Sequence, residues 1–406
     1  MIYFLMATGF VGAAGFAWLA WRAYRKNVFI WLPQYVRGDW AGWRERHLRE
    51  LSGVTHVLFC IADHFEPGWG RPGAEVEQKR VDRWVREYPR LAKGFRDADG
   101  CPPRHTFFFP AEEYRPELLE PLVELVRDGY GEVEVHLHHD GDTAEGLKGK
   151  LLEFLERLER HALLERDGET GRPSFAFVHG NWALDNSRPD GRWCGVNNEL
   201  QVLQECGCFA DFTLPSAPSA TQTKRINSIY YAADDPLQPK SHDDGVEVRE
   251  GGGKTEDLML IQGPLCMGWR GLRFLSMPRI ENGDLAAASP PTPRRMGDWL
   301  RTGVCVSGRP DVVFVKLYTH GCQEANADLL LGDQMREFHK YLTSILSDGC
   351  EYKLHYVTAR EMYNIAKAIE SGFSGDPGQC RDYRITPPEC VGSNQVRTSR
   401  TEACVD

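Results

Sequence analysis

The chain has no C-x-x-C pair, no phosphate-loop spacing, no concentrated basic surface and no internal repeat, and each absence narrows what it can do. Its 12 cysteines lie scattered, with Cys206 and Cys208 forming only a C-x-C. Such thiols read as small buried hydrophobes in a reducing compartment, and their spacing does not support a structural zinc. Gly251-Gly252-Gly253-Lys254 lacks the strand context of a phosphate cradle and reads as a flexible turn, so no nucleotide cofactor is expected. With 48 Lys and Arg against 58 Asp and Glu, the net charge of -10 argues against a nucleic-acid partner. Mixed-sign stretches such as Arg157 to Arg166 read as a solvated helix face.

Charge is missing from one place in particular. Ile2 to Trp21 carries no ionisable side chain except Tyr3, and ~20 such residues at helical rise span a hydrocarbon core. A cleaved signal peptide wants a basic start, whereas Arg22, Arg25 and Lys26 come afterwards here. Trp18, Trp21 and Tyr24 suit the interface, and the following positive charge places the main domain on the cytoplasmic side. Residues 1–26 are therefore expected to be a single-pass anchor with a basic flank, and residues 27–50 a juxtamembrane helical segment. Residues 373–406, rich in Gly, Pro, Ser, Arg and Thr, are expected to be a floppy tail.

Residues 51–372 hold the folded domain. Apolar runs at Val57–Ala62, His105–Pro110, Glu132–His138, Ser174–Val178, Phe209–Leu214, Asp257–Gly263, Asp311–Tyr318 and Tyr352–Val357 read as strands. Helical spacing follows most of them, as in Leu147, Leu151, Leu155 and Leu158, and a single helix is expected over Glu324–Leu346. The alternation predicts an α/β fold, a distorted (β/α) barrel of about seven parallel strands. Asp234 to Lys254 breaks the pattern and reads as loops with a hairpin, His242-Asp243-Asp244 lying in a solvated part.

Ligands of parallel α/β sheets gather beyond the carboxyl ends of the strands. Asp63, His64 and Glu66 follow the first strand, and His136, His138, His139 and Asp140 end the third. His179, Asn181 and Asp185 follow the next, then Asp211, and His320 follows Val312–Tyr318. The sharpest signal is His136-Leu137-His138-His139-Asp140. Imidazole and carboxylate suit a divalent ion such as Zn2+, and strand alternation makes His136 and His138 neighbours on one face.

These segments, in this order, resemble the polysaccharide deacetylases (carbohydrate esterase family four). Ile61-Ala62-Asp63-His64 is similar to that family's first strand-end motif, and Thr106-Phe107-Phe108 to its T-F-F strand. The His136–Asp140 run resembles its H-x-x-x-H metal motif, Val178–Trp182 its third segment, and Val315–Gly321 its final strand ending in His. The likeness covers Val54 to Lys367. It departs where His64 replaces a second carboxylate, where Asp140 replaces a metal His, and where His179-Gly180-Asn181 replaces an Arg-containing segment.

The resemblance implies metal-assisted removal of acetyl groups from an N-acetylated sugar of an envelope or lipid-linked polysaccharide. Asp63 would then be the general base and His320 the general acid. His64, His136 and Asp140 would bind the metal, with Asp63 or His138 as a substitute, and His179, Asn181, Trp182 and Asp211 would border the substrate. A membrane anchor would concentrate the chain on an acetylated glycan at the membrane. Two alternatives stay open: a glycoside hydrolase using Asp63 and Asp211 as its carboxylates, and a non-catalytic carbohydrate-binding or scaffold protein.

Overall fold

Strand β1 (Thr55–His64) is ten residues long and buried on both faces except at His56, the mark of a central strand in a parallel sheet. The computed structural model describes residues 18, 20–38, 53–167, 171–253, 255–270, 277–346, 351–388 and 390. In it, β1 pairs in parallel with β13 (Val312–Thr319) along its length on one side. On the other side it pairs with β14 (Tyr352–Tyr356) at its start and with β2 (His105–Pro110) at its end. The parallel order continues from β2 through β3 (Gly131–Leu137), β5 (Pro173–His179) and β6 (Cys208–Asp211) to β9 (Leu258–Ile261). Two antiparallel strands, β7 (Ile229–Ala232) and β8 (Gly245–Glu247), close that flank, and β12 (Asp284–Leu285) lies beside β13. Short β4 (Glu165–Arg166) borders β5, and β10 (Cys266–Arg270) forms a separate hairpin with β11 (Met277–Glu281).

The sheet curls. Strands β13 and β6 are five places apart, which in a flat sheet would separate them by roughly 24 Å. Yet Lys316 Nζ on β13 donates to Phe212 O at 2.5 Å and Leu214 O at 2.6 Å, just beyond β6. The mixed α/β, parallel-rich sheet therefore bends into a partial barrel. Among the described residues no backbone ladder joins β13 to β9, and the antiparallel pair lies outside the expected all-parallel set.

Helices cover the outer face. α1 (Ala74–Ala92) buries Val81, Trp84, Tyr88 and Leu91, and α2 (Pro116–Arg127) begins with proline, whose fixed φ suits a first turn. α3 (Ala144–Arg160) is capped by Thr143, whose hydroxyl accepts from Gly146 N at 3.1 Å, and buries Leu147, Leu151, Phe154, Leu155 and Leu158. Each such side chain contributes roughly 1.5–3 kcal/mol on leaving water. α4 (Glu199–Glu205) and α5 (Pro293–Thr302) are shorter. The single helix expected over 324–346 is two, α6 (Glu324–Leu330) and α7 (Asp333–Ile345). The chain breaks at Gly332, where a Cβ would overlap the carbonyl of Asp328. α8 (Ala359–Glu370) starts with a full capping box of Thr358 and Glu361.

At both ends the structure adds to the sequence pattern. Residues 28–38 are helical, and Val28 and Trp31 pack with Ala217, Ile226 and Leu265. Most of the expected anchor and residues 39–50 lie outside the described residues, among which no helix is long and apolar enough to cross a membrane. Residues 373–388, expected as the start of a floppy tail, fold back instead. Cys380 is buried, and Arg381 donates to Tyr356 O at 2.6 Å and to Asp99 at 2.7 Å. Residues 391–406 lie outside the described residues.

Candidate metal centre

Register levels the strand ends. Asp63 stands opposite Thr319, Pro110 opposite His136, and Leu137 opposite His179, so the residues just past β1, β3, β5 and β13 emerge at one rim. There, His64 and Glu66 from β1 meet His136 and His138 from β3 and His320 from β13. The His64 ring lies 4.9 Å from His136 and 4.8 Å from His320, and the His136 ring 4.6 Å from His138. Glu66 is the centre of the group: its Oε1 is 3.2 Å from His136 Nε2 and 3.9 Å from His138 Nε2. Two sets of potential ligands share it, His64–Glu66–His320 and Glu66–His136–His138.

Tautomers assigned from the hydrogen bonds sharpen the picture. His136 Nδ1 lies 2.9 Å from Val178 O, and a carbonyl can only accept, so that nitrogen carries the proton. Nε2 then faces a carboxylate oxygen at hydrogen-bonding distance, a pair satisfied by a cation between them, either a proton or a metal ion. His138 repeats it, with Nδ1 held 2.5 Å from Glu112 Oε1 and Nε2 facing Glu66. Anchoring of the remote ring nitrogen by carbonyl or carboxylate is the usual support of metal-binding histidine. The donor set thus fits a divalent ion.

Electrostatics follow from crowding. Burial, and the neighbouring His320, His136 and His138, hold His64 well below the ordinary histidine range. Burial also lowers His320. Burial alone would lower His138, but its bond to Glu112 outweighs this and raises it. For Glu66, burial pulls upward, yet His136 and the other imidazoles hold the carboxyl below its usual value. The rim opens to solvent beside Trp69, which is 48% exposed and 6.2 Å from the His320 ring. Trp182 packs 5.4 Å from His64 and 5.5 Å from His320, at a left-handed φ of 55°.

Not every expected residue joins this group. Asp63 points to the opposite face of β1 from His64, because side chains alternate along a strand. Fully buried, it accepts from Gly321 N at 2.6 Å and bonds His105 Nε2 at 2.8 Å. Asp140 lies in the turn beyond β3, exposed, accepting from Trp193 N at 2.6 Å. The expected meeting of residues 63, 136, 140 and 320 around one ion is therefore corrected: only 136 and 320 are there. Asp211 is also buried away from the rim, bonded by the Thr213 hydroxyl at 2.7 Å, and burial raises its pKa to about 7. Asn181 is half-buried at φ 56°, immediately before Trp182. His179 belongs to a different group, with His139, Cys194 and Glu199. His242, expected in a solvated loop, is buried against Asp185 at 3.2 Å.

Glu66 and Glu112 were given no role by sequence reasoning. Glu66 is two residues beyond its strand's histidine and Glu112 sits in a short 3-10 turn, so neither belongs to a compact motif. A further set, His56, His355 and Asp376, lies at the opposite end of the sheet, at the start of β1. A cavity of about 550 Å³ lined by Tyr35, Arg225, Trp269 and Asp298, among others, is also separate, none of its walls coming from the histidine rim. The chain matches no protein-family profile, and no curated protein matches its sequence.

Proposed function

We propose that the chain is a metal-dependent deacetylase that removes acetyl groups from an N-acetylated sugar of a membrane-associated polysaccharide. The observation that carries this is the convergence of four imidazoles on the Glu66 carboxylate at an open rim. Glu66, His136 and His138 are the residues that would hold the ion, with His64 beside His136, and this imidazole–carboxylate set suits zinc. When bound, such an ion polarises an acyl carbonyl and lowers the pKa of its water.

The remaining steps belong to side chains. Asp63, the base by resemblance, has both oxygens engaged and no exposed surface, so it does not take a proton from the reacting groups. His320 gives a proton from its ring nitrogen to the departing amine, and its lowered pKa makes the protonated ring a readier donor. Trp182 and Trp69 offer aromatic faces to a pyranose ring beside the histidines. The bent sheet is then a distorted, incompletely closed (β/α) barrel, and the uncharged Ile2–Trp21 stretch supports anchoring beside a membrane-borne glycan.

Metal analysis of the purified full chain, combined with acetate release from a panel of acetylated glycans, tests this function. Bound zinc and chelator-sensitive acetate release are expected. Glycan binding without acetate release at full metal occupancy would replace the enzyme with a carbohydrate-binding protein.

A further inference from the structure

The second buried group of ligands is built differently from the first. His139 lies just past β3, His179 ends β5, Cys194 lies in the long loop after β5, and Glu199 opens α4. All four are buried, with their ligand atoms within 4.8 Å of one another. Glu199 is the hub: Oε1 lies 3.1 Å from His139 Nε2 and 3.5 Å from His179 Nε2, and Oε2 lies 3.3 Å from Cys194 Sγ. In a tetrahedral zinc site, bonds of about 2.0–2.3 Å place neighbouring ligand atoms roughly 3.2–3.8 Å apart. The three separations at Glu199 lie near those edges.

Ring orientation points the same way. His179 Nδ1 contacts the carbonyl of Gly180 and so carries the proton, which leaves Nε2 a lone pair. That Nε2 has no hydrogen-bond partner although the residue is fully buried, and it faces the Glu199 carboxylate. A buried lone pair opposite a carboxylate is costly unless a cation lies between them. His139 has its remote Nδ1 3.3 Å from Asp142 Oδ2 but without a hydrogen-bond partner, while its Nε2 lies 3.1 Å from Glu199 Oε1. The loop N–H of Asp185 donates to Glu199 Oε2 at 2.6 Å. We infer that His139, His179, Cys194 and Glu199 form a structural, four-coordinate zinc site separate from the histidine rim.

Its position gives it a role. The loop from 180 to 198 holds Asn181, Trp182, Asp185, Asn186 and Trp193 at left-handed φ values between 49° and 69°. Non-glycine residues in that region are strained and persist only where the surroundings over-determine them. Ligands at 179, 194 and 199 bracket the loop, and His139 ties it to β3. The site thereby holds Trp182 against His64 and His320. Cysteine spacing could not reveal it, because one thiolate joins ligands of three other kinds of position.

Sulfur separates the two centres experimentally, since no cysteine belongs to either set around Glu66. Full-length protein produced in cobalt-supplemented medium should show a thiolate-to-cobalt charge-transfer band. The band should be lost in Cys194→Ser and kept in His136→Ala, with total metal falling by one equivalent in each. Circular dichroism checks that each variant folds, and the wild-type band decides the matter if Cys194→Ser does not. Cobalt-loaded, folded wild type without a thiolate band, a band that survives Cys194→Ser, or protein that binds no metal would each overturn the site. Acetate release plays no part in the readout, so failure of the proposed activity leaves this test intact.

Discussion

The carboxylate of Asp63 accepts the backbone N–H of Gly321 at 2.6 Å, one residue beyond His320. Trp84 Nε1 donates to Gly321 O at 2.9 Å, so both backbone polar groups of Gly321 are held, from β1 and α1. A Cβ at 321 would overlap the Asp63 carboxylate and the Trp84 ring, which explains the glycine. Asp63 therefore positions His320 from the far face of the strand and does not touch the histidine rim.

Asp63→Ala should leave Gly321 N and His105 Nε2 without their buried acceptor. Urea unfolding is expected to show a loss of about 1.5–3 kcal/mol for a hydrogen bond to a charged group. Acetate release should fall while the metal content stays at the wild-type level. If the metal disappeared from a folded Asp63→Ala protein, the aspartate would have to be a ligand after all.

Glu66→Gln keeps the shape of the central side chain and removes its charge. Removing the shared carboxylate should weaken metal retention and abolish acetate release, and His136→Ala should do the same. Asp140→Ala should change neither, because its carboxylate bonds only the Trp193 backbone among the partners described for it. Dialysis against chelator followed by metal analysis compares the three variants directly. A large loss in Asp140→Ala alone would reinstate the ligand set of the resemblance.

His339 offers a pH test away from any metal. Buried in α7 and 2.9 Å from Tyr356 Oη, it is lowered to about 3 by burial, with His105 and Arg336 adding to the effect. The unfolded chain takes up this proton near pH 6.5, so between those values the unfolded state binds more protons. The stability from this residue is complete above pH 6.5 and declines as pH falls toward 3. His339→Gln should flatten the slope of unfolding free energy by about 1.4 kcal/mol per pH unit in that window. Parallel slopes for wild type and variant would refute the assignment.

Truncation after Gly372 removes Arg381, whose guanidinium meets Asp97 at 3.0 Å and Glu361 at 3.2 Å. Breaking a buried charge pair from one side costs about 3–5 kcal/mol, so truncation should lower the unfolding midpoint markedly. Arg381→Ala in the full chain should reproduce most of the loss. An unchanged midpoint would return residues 373–388 to the status of a tail.

Much of the sheet was legible because β1, β2, β3, β5 and β13 are short apolar runs, and His64, His136, His138 and His320 stand where such runs end. What escaped was parity and distance. Asp63 and His64 are adjacent in sequence, yet alternation sends one to each face, and an apolar run buried on both sides gives no hint which. Asp140 satisfied an i, i+4 spacing that holds on a helix, whereas the chain here turns away to meet Trp193. Glu112 and Glu199 reach their histidines from 26 and 60 residues away, a closeness that only tertiary packing creates. Arg381 lies in a stretch whose composition resembles disorder, and its burial depends on acids contributed by α8 and the loop after α1.

The clasp between β13 and the end of β6 is made by one amine facing two carbonyls, and burial brings the Lys316 pKa down to about 8. Losing a proton would leave that nitrogen with two N–H bonds, one for each waiting oxygen. The seam of the curled sheet therefore keeps both of its hydrogen bonds in mild alkali: its donors outnumber its acceptors in the charged form and equal them in the neutral one.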